Sequence, residues 1–248
     1  MSSFESDASV CPLEEIDSIA DTWKSKNLKD ALEKIDQLDM NSIPNEIKVG
    51  ALQRKSEFLY ALSNLESDRK KRISFLEEAR KAAEDGCKLD ETDFNFCRLL
   101  CSTTGRLAEE SGITKKVHYG FLFKTALDKA ISLDENNFEM LHMRGRFCYQ
   151  VASLSTLEKL AARVIGTVPN VNHNDALRDL LKAERIEPGS AENQLYIGKT
   201  MLSLGKTTEA RKWLLKASKV EVDATEIVKM EHVAEAVNLL KDKKFVSS

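Results

Sequence analysis

Four positions in this chain carry the smallest side chains, and each is followed by the same short tail. They are Gly86, Ala130, Ala183 and Ala217; three residues later come Leu89, Leu133, Ile186 and Val220, and then an acid, Asp90, Asp134, Glu187 or Glu221. A second set of small residues precedes two of them: Gly145 before Ala176, Leu180, Ala183 and Pro188, and Gly198 before Ala210, Leu214 and Ala217. Small side chains at these intervals mark places where two antiparallel helices cross closely, because a bulkier group there forces the backbones apart. Earlier residues of the same kind, Ala79 and Ala83 and then Phe123, Leu127 and Ala130, continue the pattern towards the N-terminus.

The steps between the four crossings are 44, 53 and 34 residues. The last equals the tetratricopeptide period, and the others exceed it by 10 and 19, with the excess inside the hairpins as inserted loop. An all-α superhelical array follows, and composition agrees: 4 Pro and 10 Gly in 248 residues are few for a fold rich in tight β-turns. Caps and periodicity place hairpins at about 13–39, 46–88, 92–132, 138–185 and 191–220, all within one domain over 11–248 behind a flexible tail of residues 1–10. Asn27 is expected to cap the second helix, Pro44 to open the third, and Gly205 to close the first helix of the last hairpin. A terminal helix over 225–241, opened by the box Asp223-x-x-Glu226, covers the apolar edge of the last repeat. The insertion at 153–174 contains a capping box, Ser155-x-x-Glu158, and an apolar face of Leu157, Leu160, Ala161 and Val164. This short helix, ended by Gly166 and Pro169, is expected to pack its apolar face back on the array; display of that face to a partner or lipid is the alternative.

The charge pattern and motifs narrow the function class. Net charge is −3, so nothing in the whole-chain balance points to nucleic acid. Five cysteines with no CxxC pair argue against a disulfide framework or a zinc site, and Cys97 and Cys101, four apart on an apolar helix, read as core. No secretory h-region opens the chain and no apolar run is long enough for a membrane span, so a cytoplasmic location is expected. Metalloprotease, serine-hydrolase and phosphate-loop motifs are missing and the four histidines are scattered, which predicts no catalytic residues, no metal, no cofactor and no enzymatic activity.

What remains is a surface. In a tetratricopeptide hairpin, positions 2, 5, 9 and 12 of the first helix face the concave groove. Counting from Phe94, Phe138 and Ala191 places Asn95, Arg98 and Ser102, then Glu139, His142, Arg146 and Tyr149, then Glu192, Leu195, Lys199 and Leu202 on that wall. Arg106 lies one step beyond. The groove candidates Asn95, Arg98, Arg106, His142, Arg146, Tyr149 and Lys199 thus form a polar wall leaning basic, unless its cations are neutralised by Glu139, Glu192 and neighbouring helices. A second basic patch, Arg69-Lys70-Lys71-Arg72, sits at a helix N-terminus, where the helix dipole disfavours positive charge. Lys241, Lys243 and Lys244 sit at a C-terminus, where it favours them.

Residues 173–222, with Lys182-Ala183-Glu184 and Pro188, Asn193 to Lys199, and Trp213 to Ala217, and the preceding segment Leu160 to Asn170, resemble the regulator of microtubule dynamics family. Thr125 to Asp134 is similar to the family's middle repeat. The resemblance covers about residues 70–222, and its insertion pattern is more specific than the small-residue spacing. It implies a tetratricopeptide-like domain associated with tubulin and microtubules, with spindle organisation and chromosome segregation, and with mitotic spindle regulators at spindle and spindle poles. Some members carry an N-terminal membrane anchor, and one of these is linked to lipids. This chain shows no such anchor, so it is most like the short soluble type. Glutamate-rich tubulin tails would suit an arginine-bearing groove, because guanidinium binds carboxylate in a two-pronged way. A peptide-binding adaptor and a lipid-binding or lipid-transfer module are the alternatives.

Overall fold

The computed structural model describes residues 11–223, 227–242 and 245. Among them the chain forms α1 (Pro12–Ala20), α2 (Ser25–Asp36), α3 (Asn45–Leu65), α4 (Arg69–Leu89), α5 (Phe94–Glu109), α6 (Ile113–Leu133), α7 (Phe138–Ala152), α8 (Thr156–Ile165), α9 (His173–Ile186), α10 (Ala191–Ser203), α11 (Thr207–Ala217) and α12 (Ile227–Leu240), and no strand. It is an all-α array of tetratricopeptide-like hairpins. Residues 1–10, Thr225 and Glu226 of the expected last-helix start, and Lys243 and Lys244 lie outside the described residues.

Local chemistry sets most helix starts. Asp68, Asp93, Asn137, Ser155, Asn172 and Ser190 each accept a hydrogen bond from a first-turn N–H of the helix that follows, a contact worth about 1 kcal/mol. The box at Ser155 and Glu158 forms, as does a second one at Asn172 and Asp175. Gly205 has φ +73°. Its N–H reaches Leu202 O and that of Lys206 reaches Met201 O, closing α10 with a Schellman turn. The expectation for Asn27 is not met: α2 begins three residues earlier than that cap implies, behind Lys24, and Asn27 Nδ2 instead donates to Ile19 O at 3.0 Å, tying α2 back to α1. Between these helices Trp23 holds φ 50°, its ring edge-on to Phe58 at 5.4 Å. Pro44 stands at the cap of α3, one residue before the first turn.

By its packing the chain divides into two compact units, residues 1–126 and 127–248. In the first, Ile16, Leu28, Ile35, Phe58 and Leu62 make one apolar cluster and Ala83, Phe96 and Leu99 another. Gly86 is a contact point between successive hairpins here, for a Cβ built on it would lie 2.0 Å from the Phe96 ring. In the second unit the glycines work inside the hairpins. A Cβ on Gly145 would meet Leu180 Cγ at 2.5 Å, and one on Gly198 would meet Leu214 Cδ2 at 2.7 Å. Ala130, Ala183, Ala210 and Ala217 are all fully buried. α12 packs on α10 and α11, placing Ala236 and Phe245 in the cluster of Leu180, Leu195 and Leu214.

The insertion departs from expectation. α8 forms, but its apolar face does not pack back: Leu157, Leu160 and Val164 are 78%, 60% and 87% exposed. Among its described side chains it is Ala162 that turns inward. The capping box and the Gly166 N–H, which donates to Ala162 O, fix the two ends of the helix locally. Beside it an open cleft of about 490 Å³ is lined by Arg163, Val164, Gly166, Thr167 and Val168.

Candidate functional site

In the second unit, α7 and α10 bring His142, Arg146, Tyr149 and Lys199 to one place, and with them Glu192 and Tyr196. Arg146 Nη1 donates to Glu192 Oε1. His142 Nε2 lies 3.5 Å from Glu192 Oε2, and His232 Nε2, from α12, lies 3.5 Å from Oε1. The buried amide of Asn193 orients His142. Its Nδ2 donates to Leu180 O and Glu184 Oε2 at 3.1 and 2.9 Å, so its Oδ1, 2.9 Å from His142 Nδ1, must accept. Nδ1 of the imidazole therefore carries a proton, and Nε2, when it is protonated too, points its N–H at the carboxylate. Burial opposes the charge of Glu192, but the imidazole of His142 and the charges of Arg146 and His232 outweigh it and bring its pKa down to about 2. These side chains do not converge as metal ligands must: no metal-holding group of His, Cys, Asp and Glu occurs among the described residues.

Next to this carboxylate is an aromatic shelf. The Arg146 guanidinium stands 4.9 Å and the Lys199 ammonium 4.7 Å from the centre of the Tyr196 ring. Lys199 also lies 5.7 Å from Tyr149, whose ring meets Tyr196 edge-on. Lys199 Nζ donates to Glu235 Oε1 of α12 at 2.7 Å. Burial disfavours its charge, yet that bond and the two phenol rings hold its pKa above the ordinary lysine value. Leu195, expected on the same wall, is instead fully buried in the core.

In the first unit Asn95 is exposed, its backbone N–H held by the cap Asp93. Arg98 on α5 reaches Glu57 on α3 at 2.8 Å. Arg106 pairs with Glu109 at 3.2 Å and Glu110 at 3.7 Å. Glu110 also takes a two-pronged bond from Arg72, at 2.7 and 3.2 Å, and Arg69 at 3.7 Å. The Arg72 guanidinium, then burial, then the other arginines act on this carboxyl, leaving its pKa lowered. The charge conflict expected at the start of α4 is thus resolved by the cap Asp68 and by Glu110. Lys70 and Lys71 remain exposed and make no ion pair among the described residues.

A cationic wall without counter-charges is therefore not what the chain builds. Arg98, Arg106, Arg146 and Lys199 each meet a glutamate of the same chain, contributed by an element 41, three to four, 46 and 36 residues away. Tyr196, His232 and Glu235 escaped the sequence reading. The groove register skips position 196, and only the packing of α12 brings the other two to α10.

A family model described as regulator of microtubule dynamics protein 1-3 matches residues 13–244. Regulator of microtubule dynamics protein 3 of Rattus norvegicus is 39% identical over 166 residues, which are 66% of this chain and 34% of that one. Protein 1 of Caenorhabditis elegans is 29% identical over 203 residues, 82% of this chain and 89% of that one. The matched segment spans about a third of the length of the protein 3 relatives. Among solved structures, the MamA protein (TM-score 0.52, 17% identity, covering 90% of this chain and 94% of that one) and a thermophilic TPR protein of Thermus thermophilus (TM-score 0.52, 14% identity, 92% and 97%) share the fold.

Proposed function

The chain belongs to the regulator of microtubule dynamics family, and from that premise we propose that it is a non-enzymatic microtubule-associated protein, of the protein 1 type, that binds tubulin polymer. Its setting is the cytoplasm and the spindle, where it supports microtubule organisation and chromosome segregation. The observation that carries the binding mode is the first turn of α4. Arg69 and Arg72 are locked to Glu110, while the adjacent Lys70 and Lys71 present exposed ammonium groups with no internal counter-ion among the described residues. Glutamate-rich tubulin tails supply the complementary charge. Each such surface contact contributes only about 0.2–1 kcal/mol, so single-tail affinity is of the order of μM and salt-sensitive, and many tails on one lattice add avidity. Arg98, Arg106, Arg146 and Lys199 are secondary contacts, because a tail must exchange with a glutamate already in place.

Co-sedimentation with polymerised tubulin tests this. Protease removal of the acidic tails, raised salt, or the pair Lys70→Glu and Lys71→Glu should each weaken binding several-fold. Binding indifferent to all three excludes the electrostatic mechanism. The second reading, a peptide-binding adaptor or lipid module, draws on the exposed face of Leu157, Leu160 and Val164. A purified chain that ignores tubulin but captures a peptide or lipid through α8, detected by native mass spectrometry, would favour it.

A further inference from the structure

The structure assigns a glutamate-binding subsite to Lys199 on the Tyr149–Tyr196 shelf, and we propose that Glu235 of α12 occupies it as an intramolecular stand-in for an acidic protein segment. This rests on the reading that the partner is acidic, and adds how access to the second unit is controlled.

Three features of the contact distinguish receptor from ligand. The Lys199 side chain is sunken, 19% exposed, whereas that of Glu235 lies at the rim, 44% exposed. The lysine is also oriented in advance. Two rings face its ammonium, at 4.7 and 5.7 Å, and the Tyr196 ring also carries Arg146. An ammonium held in this way loses little freedom when a carboxylate arrives. Finally, α12 approaches α10 in the manner of a bound helix. His232 and Glu235, three apart and so on one face of α12, meet Glu192 and Lys199, seven apart on one face of α10. Those two are the polar members of the four α10 positions that the groove register turns outward.

The attachment of α12 is uneven. Ala236, Leu239, Leu240 and Phe245 join the apolar cluster, whereas Met230 is 47% exposed and Lys229 and Glu231 face solvent. Ahead of Ala236, α12 is tied to α10 by the polar pairs of His232 with Glu192 and of Glu235 with Lys199, and a competing carboxylate can replace the second. Its C-terminal end is anchored by burial. Displacement therefore takes the form of the first turns lifting while the anchor stays.

A fluorescein-labelled glutamate-rich decapeptide, titrated by anisotropy into the full chain, tests the assignment. Glu235→Gln should bind it about threefold more tightly than wild type, the scale of one surface ion pair. Glu231→Gln removes the same charge from the same helix without touching Lys199, and should leave affinity unchanged. Adding Lys199→Gln to Glu235→Gln should abolish the gain. In hydrogen exchange, peptide binding should expose the amides of residues 229–235 and leave α10 and α11 protected. Equal affinity of wild type and Glu235→Gln, an equal gain from Glu231→Gln, a gain that survives Lys199→Gln, or unaltered exchange in α12 each overturns the subsite. If neither wild type nor Glu235→Gln binds the peptide, the acidic-partner reading falls with it. If wild type binds and Glu235→Gln does no better, that reading stands and the subsite alone is lost. Because Glu235 is at the rim, an unchanged melting temperature confirms that the variant is folded.

Discussion

Glu110 in the first unit and Glu192 in the second each collect three basic side chains, yet they are different objects. Glu110 is the less exposed carboxyl, 12% against 25%, and its near partner Arg72 is 20% exposed, but Arg69 and Arg106 are 63% and 38% exposed. At Glu192 the partners are sunken too: Arg146 is 27%, His232 17% and His142 8% exposed. The first is a clamp at two helix ends, where water and salt screen the outer pairs with Arg69 and Arg106. The second is a polar core, where the charge is opposed by burial and depends on its neighbours. A tally of cations around an acid cannot tell the two apart; the burial of the second and third partners does.

The hardest way to break the contrast is through the backbone that carries it. Gly145→Leu should cost about 3 kcal/mol or more, since even a Cβ there lies 2.5 Å from Leu180 Cγ and 3.2 Å from the Leu180 backbone nitrogen. Moving α7 away from α9 also takes Arg146 off Glu192. Ala183→Leu and Ala217→Leu, at fully buried crossings, should cost about 1–3 kcal/mol. Urea denaturation measures both, and losses under about half a kcal/mol would mean that the crossings are misplaced.

Glu192→Gln comes next, with a loss of about 3 kcal/mol at pH 7. Its carboxyl titrates near 2 when folded against 4.5 ordinarily. The stabilisation is therefore complete above pH 4.5 and disappears as pH falls towards 2. In the variant this part of the acid limb should flatten; an unchanged acid profile would place Glu192 in solvent. Glu110→Gln should cost no more than about 1 kcal/mol, and 0.5 M salt should erase most of the difference. If Glu110→Gln proves as damaging as Glu192→Gln, the surface clamp is in truth a buried site. Least affected of all should be Val164→Ser on α8, within about 0.5 kcal/mol of wild type because the side chain is 87% exposed. A larger loss would mean that the α8 face is covered.

How much of this was legible in the residues follows the range of each interaction. Gly145, Gly198, Ala183 and Ala217 announced the hairpin crossings because close helix contact tolerates only small groups there. The Ser155 box announced α8, since its two hydrogen bonds span three residues. Asn27 misled because a side chain suited to capping found a carbonyl eight residues back, in α1. Leu195 misled because the groove register places it outward while Leu180 and Leu214 draw it inward. The cations of the candidate site were found one by one. Of their acids Glu192 was named beforehand, whereas Glu57 and Glu235 were not, because they come from helices whose packing the residues do not announce.

The order of helices, their caps and the small residues at their crossings were determined by the sequence alone, because each depends on neighbours three to four residues away or on the size of a single side chain. Which charges remain open to a partner was decided only by the tertiary structure. Coulomb attraction follows distance in space, and it was folding that laid Glu235 on Lys199 and Glu192 on Arg146 while leaving Lys70 and Lys71 to the solvent.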